Sequence, residues 1–167
     1  MKYNNIAFIG FGLIAGSISK AIKKYIPDSK IYAYTNNRSE LLKGRSDGVV
    51  DIILDKIDST LLECDIVFLC TPVDFNDKYL EEIKSYIRKD AIITDVGSTK
   101  SSIHSLAKKL ELEDIFIGGH PMAGSEKTGY DASDSLLLEN AYYMITPSSK
   151  INDDKLHSFI KLIESIK

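Results

Sequence analysis

Cysteine is scarce in this chain. Cys64 and Cys70 are its two examples, each in or beside an apolar, strand-like run. That excludes a disulfide scaffold, and both thiols read as reduced, buried side chains rather than a bridge or a metal pair. No Cys/His cluster stands at ligand spacing, so no metal is expected. Apolar runs are too short to span a bilayer, and the first residues lack the layout of a secretory leader. The expected compartment is the cytoplasm. Basic charge is not in excess: the net charge is -3, so no overall basic field invites nucleic acid. Internal repeats, low-complexity tracts and linkers are absent. What remains is an ordinary globular composition, 44% hydrophobic and 27% charged. Residues 1–167 read as one domain with enough chain for a real core.

The stretch that organises the rest is residues 6–17, IAFIGFGLIAGS. Apolar, strand-like sequence runs straight into glycines. A helical pattern follows at once, with Ile14, Ile18, Ala21, Ile22 and Tyr25 at spacings of three and four. Strand, tight turn and helix come in the order a dinucleotide site needs. Gly10 permits the turn, and Gly12 lets the backbone approach a pyrophosphate. Leu13 and Ile14 open the helix, whose free N–H groups and positive end stabilise that charge. Ala15 fills the third position of the pattern, where the demand is close helix–strand packing.

Further along, strands are expected at residues 30–34, 49–54, 65–70, 91–94, 115–118 and 141–145. Helices are expected at 39–43, 76–86, 99–110 and 153–166. Residues 119–130 read as a long glycine-rich loop. Strands alternating with helices predict an α/β fold of the Rossmann type: doubly wound, with a mainly parallel sheet and helices on both faces. Ligands in such sheets bind outside the carboxyl ends of the strands. Five exit segments therefore converge on one rim: the glycine turn and residues 35–38, 71–74, 95–100 and 119–130. Thr71 and Pro72, which end the fourth strand, join the cofactor-binding set.

The end of the second strand bears on the choice of cofactor. An NAD site usually places a carboxylate there for the ribose hydroxyl. Here Thr35 is followed by Asn36, Asn37 and Arg38, and no acid comes before Glu40. A 2′-phosphate is repelled by an acid and held by a guanidinium. The pattern favours NADP over NAD, with Arg38 and a Thr35 or Asn36 side chain on the phosphate. Read blandly, Arg38 is a solvated residue at a helix start.

The segments GFGLIAGS, FLCTPVD, TDVGSTK, GGHPMAGSEKTGY and ENAYYMITP, in that order between residues 6 and 147, resemble prephenate dehydrogenases and their arogenate-using relatives. The resemblance implies NAD(P)-dependent oxidative decarboxylation of prephenate to 4-hydroxyphenylpyruvate, or of arogenate to tyrosine. His120 matches the family's catalytic histidine. An imidazole, with an ordinary pKa of about 6.5, suits removal of a hydroxyl proton near neutral pH. Ser98 matches a serine that helps fix the geometry of histidine and substrate; it is equally placed to cap the next helix. Glu126 matches an acid that shapes or gates the substrate site, with Ser125 and Lys127 as substrate or loop contacts. Glu126 and Lys127 could equally be a solvated loop pair. His104 and His157 read as ordinary helix residues.

The resemblance ends with the dinucleotide-binding domain. Family members usually continue into an all-helical domain that makes the dimer and supplies a substrate-binding arginine, and no stretch of residues 1–167 corresponds to it. Cofactor binding is expected to survive that difference. An apolar face left at the site rim or on the last helix could drive pairing with a second copy. A non-catalytic NADP-binding module is the competing expectation.

Overall fold

The computed structural model describes residues 3–166. Seven strands form one sheet: β1 (Asn5–Ile9), β2 (Lys30–Tyr34), β3 (Ile52–Ile53), β4 (Ile66–Leu69), β5 (Ile92–Asp95), β6 (Phe116–Pro121) and β7 (Tyr143–Pro147). Their spatial order is β3-β2-β1-β4-β5-β6-β7, parallel throughout except that β7 runs antiparallel to β6. This is the doubly wound order expected from the alternating pattern, with the strand order reversing beside β1.

The helices are α1 (Leu13–Tyr25), α2 (Arg38–Ser46), α3 (Val73–Ile83), α4 (Ser101–Lys109) and α5 (Asp153–Ser165). Side-chain alternation along the strands splits the core into two layers. Ile6, Phe8, Ile66, Phe68 and Ile117 face Ile18 and Ile22 of α1 and Phe159 and Ile163 of α5. Ala7, Ile9, Val67, Leu69, Ile93 and Phe116 face Leu80 and Ile83 of α3 and Ile103 and Ala107 of α4. Both faces are thus covered, which is why β4 is apolar at every position.

Several boundaries depart from the sequence pattern, each for a local reason. The stretch 49–54 supplies only two ladder residues, and the N–H groups of Val49 and Val50 both donate to the Gly44 carbonyl in the last turn of α2. Helix α3 begins at Val73, not 76: Pro72, at φ -53°, is already set for helix entry. Helix α4 begins at Ser101 with Lys100 as its cap residue, so Ser98 does not cap it. The largest difference concerns β6. It continues through Gly119, His120 and Pro121, because β7 pairs alongside with His120 opposite Met144 and Pro121 opposite Tyr143. His120 therefore stands on a strand rather than in a loop. The strand expected at 141–145 instead spans Tyr143–Pro147, and it ends on a proline at a sheet edge, where a missing N–H is tolerated.

Candidate active site

A cavity of about 610 Å³ opens at the carboxyl ends of the strands. Gly10, Gly12, Leu13 and Ile14 form its floor, Thr35 and Asn36 one end, and Thr71 and Pro72 the side toward β4. Gly10 takes φ +88°, and a Cβ there would meet the Cys70 carbonyl carbon at 2.7 Å, so only glycine fits. The start of α1 suits an anionic ligand. Its cap residue Gly12 offers no side-chain cap, and its first turn carries no acid. These features fit a dinucleotide phosphate. Cys70 lies at the cavity edge, where burial raises its thiol pKa and keeps it protonated. Among the described residues no His/Cys/Asp/Glu group could hold a metal ion, and no helix is long and apolar enough to cross a membrane.

Arg38 does not line this cavity. Its guanidinium pairs with Asp55, and both side chains are mostly exposed. Glu40 does line it and accepts the Tyr130 N–H at 3.3 Å. Ser125 and Lys127 also stand on the wall, whereas Glu126 is exposed outside it.

His120 and Ser98 do not line the cavity, though Gly97, the residue before Ser98, does. The path from wall to imidazole runs through Asp95, the last residue of β5, whose side chain is fully buried. Its Oδ2 accepts the Gly97 N–H at 3.0 Å and its Oδ1 the Gly119 N–H at 3.3 Å. The Lys100 ammonium pairs with the same carboxylate and donates to the Gly119 carbonyl at 2.7 Å. One buried ion pair thus ties the turn that carries Ser98 to the strand residue before His120. Burial lowers the Lys100 pKa, with Asp95 opposing. Gly118 gives the sidedness. A Cβ there would run into Thr146 Oγ1 and lie 2.8 Å from His104 Nε2 and 3.2 Å from Lys100 Cδ. Alternation puts His120 on the same face as Gly118, and hence on the α4 side where the Ser98 turn enters that helix. The His120 Nδ1 atom is buried with no hydrogen-bond partner among the described residues. No hydrogen bond joins Ser98 to His120 among them. Phe75, on the cavity wall, is an exposed apolar side chain, as are Met122, Tyr142 and Met144.

Sequence reasoning missed Asp95 and Lys100 as site residues. They lie five apart across a turn, and only the reversal of the chain there brings carboxylate and ammonium together. His104 is half-buried, with Nε2 3.2 Å from Thr146 Oγ1 and its ring edge-on to Phe116. Desolvation holds its pKa below the ordinary 6.5, while Asp95 pulls the other way. The unfolded chain therefore takes up this proton more readily than the folded one. The stability from the neutral ring is complete above about pH 6.5 and is lost as the pH falls through the lower folded value. His104→Gln should remove that part of the slope when unfolding midpoints are compared between about pH 7 and pH 5. An unchanged slope would assign the acid sensitivity elsewhere.

Comparisons with known proteins bear on the family and the fold. Residues 18–167 match the family model described as prephenate dehydrogenase, nucleotide-binding domain. The chain is 37% identical over 163 residues to a prephenate dehydrogenase of Bacillus subtilis, covering 96% of this chain and 44% of that one. A crystal structure of prephenate dehydrogenase from A. aeolicus, in complex with hydroxyphenyl propionate and NAD+, superposes with a TM-score of 0.92 at 28% identity, covering 99% of this chain and 58% of the other. The Synechocystis arogenate dehydrogenase structure gives 0.89 at 30% identity, covering 97% and 56%. The chain spans about half the length of the curated relatives it matches.

Proposed function

The chain belongs to the prephenate dehydrogenase family, and on that premise we propose that it is the dinucleotide-binding part of a cytoplasmic oxidoreductase that decarboxylates prephenate, or arogenate, oxidatively. One observation supports this most: Asp95 and Lys100 tie Gly97, on the cavity wall, to Gly119, the β6 residue before His120. A nicotinamide dinucleotide, when bound, accepts the two electrons and one hydrogen that leave the ring carbon bearing the hydroxyl. His120 takes the hydroxyl proton. The ring carboxylate departs as carbon dioxide, the electrons of the broken bond complete the aromatic ring, and the phenolate oxygen so formed takes the proton back. Ser98, on the same side of the sheet, orients the substrate hydroxyl. Glu126 and its exposed loop border the substrate. Addition of prephenate or arogenate with cofactor to the intact protein, followed by absorbance of reduced cofactor, tests this reading. Turnover with either substrate supports it; cofactor binding without turnover points to a binding module instead.

The preferred cofactor in this reading is NADP. Thr35 and Asn36, not a carboxylate, meet the cavity at the end of β2, and the one lining acid, Glu40, is engaged by Tyr130. The Arg38–Asp55 pair is exposed on both sides, and such pairs contribute little, so the guanidinium is free to turn to a 2′-phosphate. Arg38→Ala should weaken NADP by on the order of tenfold and leave NAD unchanged. Equal weakening of both in a binding titration would overturn the preference.

A further inference from the structure

The cavity has a wall that the first strand–turn–helix unit does not supply. Beyond β6 the chain crosses back over the start of α1 and is fastened there. The Tyr130 ring stacks on Phe11 with centroids 5.3 Å apart, and its hydroxyl donates to Asp47 at 2.9 Å. Lys20 donates to the Ser133 carbonyl at 2.9 Å, and the Asp134 N–H donates to Ser17 Oγ at 3.0 Å. The backbone comes so near the glycine turn that a Cβ on Gly12 would lie 4.0 Å from the Gly129 Cα. Two residues before Gly129 stands Lys127, whose own N–H is held by Ser125 Oγ at 3.1 Å.

Charge decides what this residue is for. Among the described residues lining the cavity, Lys127 is the one cation and Glu40 the one anion. A dinucleotide brings two negative charges to the glycine turn. The start of α1 offers backbone N–H groups and a partial dipole charge, and no basic side chain in its first turn. These offset only part of a double negative charge, and the segment packed on Gly12 carries a full positive one.

We infer that Lys127 is a cofactor residue: its ammonium pairs with the pyrophosphate, and residues 125–129 close the dinucleotide site from the β6 side. The inference rests on the reading of the cavity as a nicotinamide dinucleotide site, and it moves Lys127 from the substrate to the cofactor. It also gives the loop a double attachment, with His120 at its start and the cofactor phosphates near its end. Cofactor and substrate affinities are then coupled through one segment, and coupling of this kind is reciprocal.

The test is an equilibrium titration, without substrate, of NAD+, NADP+ and ADP-ribose against the protein and its Lys127→Gln and Lys127→Arg variants. Lys127→Gln should weaken all three ligands by the same factor, on the order of tenfold, and flatten the salt dependence of binding. Lys127→Arg should restore most of the affinity. Lys127 is exposed, so the unfolding midpoint should not move. Weakening confined to NADP+ would put Lys127 on the 2′-phosphate and overturn the inference. Unchanged affinities, alone or with a raised KM for the decarboxylated substrate, would overturn it as well. Failure of the unaltered protein to bind any of the three ligands would instead remove the dinucleotide reading itself.

Discussion

His120→Asn should lower kcat of the intact protein by about two to four orders of magnitude while leaving dinucleotide affinity unchanged. The size follows from losing a positioned proton acceptor. The selectivity follows from the fold. The imidazole stands on β6 and is not among the side chains that line the cofactor cavity, so its replacement takes no group from that wall. Asparagine keeps a polar side chain of similar reach, which limits disturbance of the β6–β7 pairing. The measurement is kcat with saturating cofactor, beside a binding titration of the same variant. A kcat that survives would assign proton removal to another group. A parallel loss of cofactor affinity would mean that His120 supports the cavity instead of the chemistry.

The second large effect concerns stability. Lys100→Met should cost about 3–5 kcal/mol, because it strands the Asp95 carboxylate in the interior without its counter-charge. Asp95 is fully buried, and its other partners are two backbone N–H groups, which cannot neutralise it. Adding Asp95→Asn to the Lys100→Met chain should recover much of the loss, since an amide needs no counter-ion. Denaturant midpoints of the two single variants and the double variant measure this. A loss below about 1 kcal/mol for Lys100→Met would show that water reaches the carboxylate and that the pair behaves as a surface bridge.

The pair also explains what could and could not be read from the sequence. The first strand, turn and helix were legible because their signal is local: a glycine that must take positive φ, followed by an apolar helical stripe. The doubly wound order followed from alternation of strand and helix. His120 was legible as a residue type in a recognisable segment. Its strand setting was not, because what extends β6 is a partner strand more than twenty residues later, and sequence pattern carries no trace of that pairing. Ser98 looked like a helix cap, but the turn bound to Asp95 delays the helix until Ser101. Arg38 stood where a 2′-phosphate is read, yet its nearest anion in the fold is Asp55, which no spacing rule connects to it. Lys127 was legible only as a loop cation. That it shares a wall with Gly12 depends on Tyr130 stacking on Phe11, a contact between residues over a hundred positions apart.

In the proposed reaction the His120 imidazole faces the nicotinamide end of a dinucleotide held by the glycine turn. The chain has three histidines, so their imidazole NMR resonances can be followed one by one during titration with oxidised cofactor and, separately, with ADP-ribose, which lacks the nicotinamide. The His120 resonances should shift with the full dinucleotide and stay near their starting positions with ADP-ribose, while those of His157, exposed on α5, should move with neither. A His120 signal indifferent to the full dinucleotide at saturation, or one that responds equally to ADP-ribose, would contradict it.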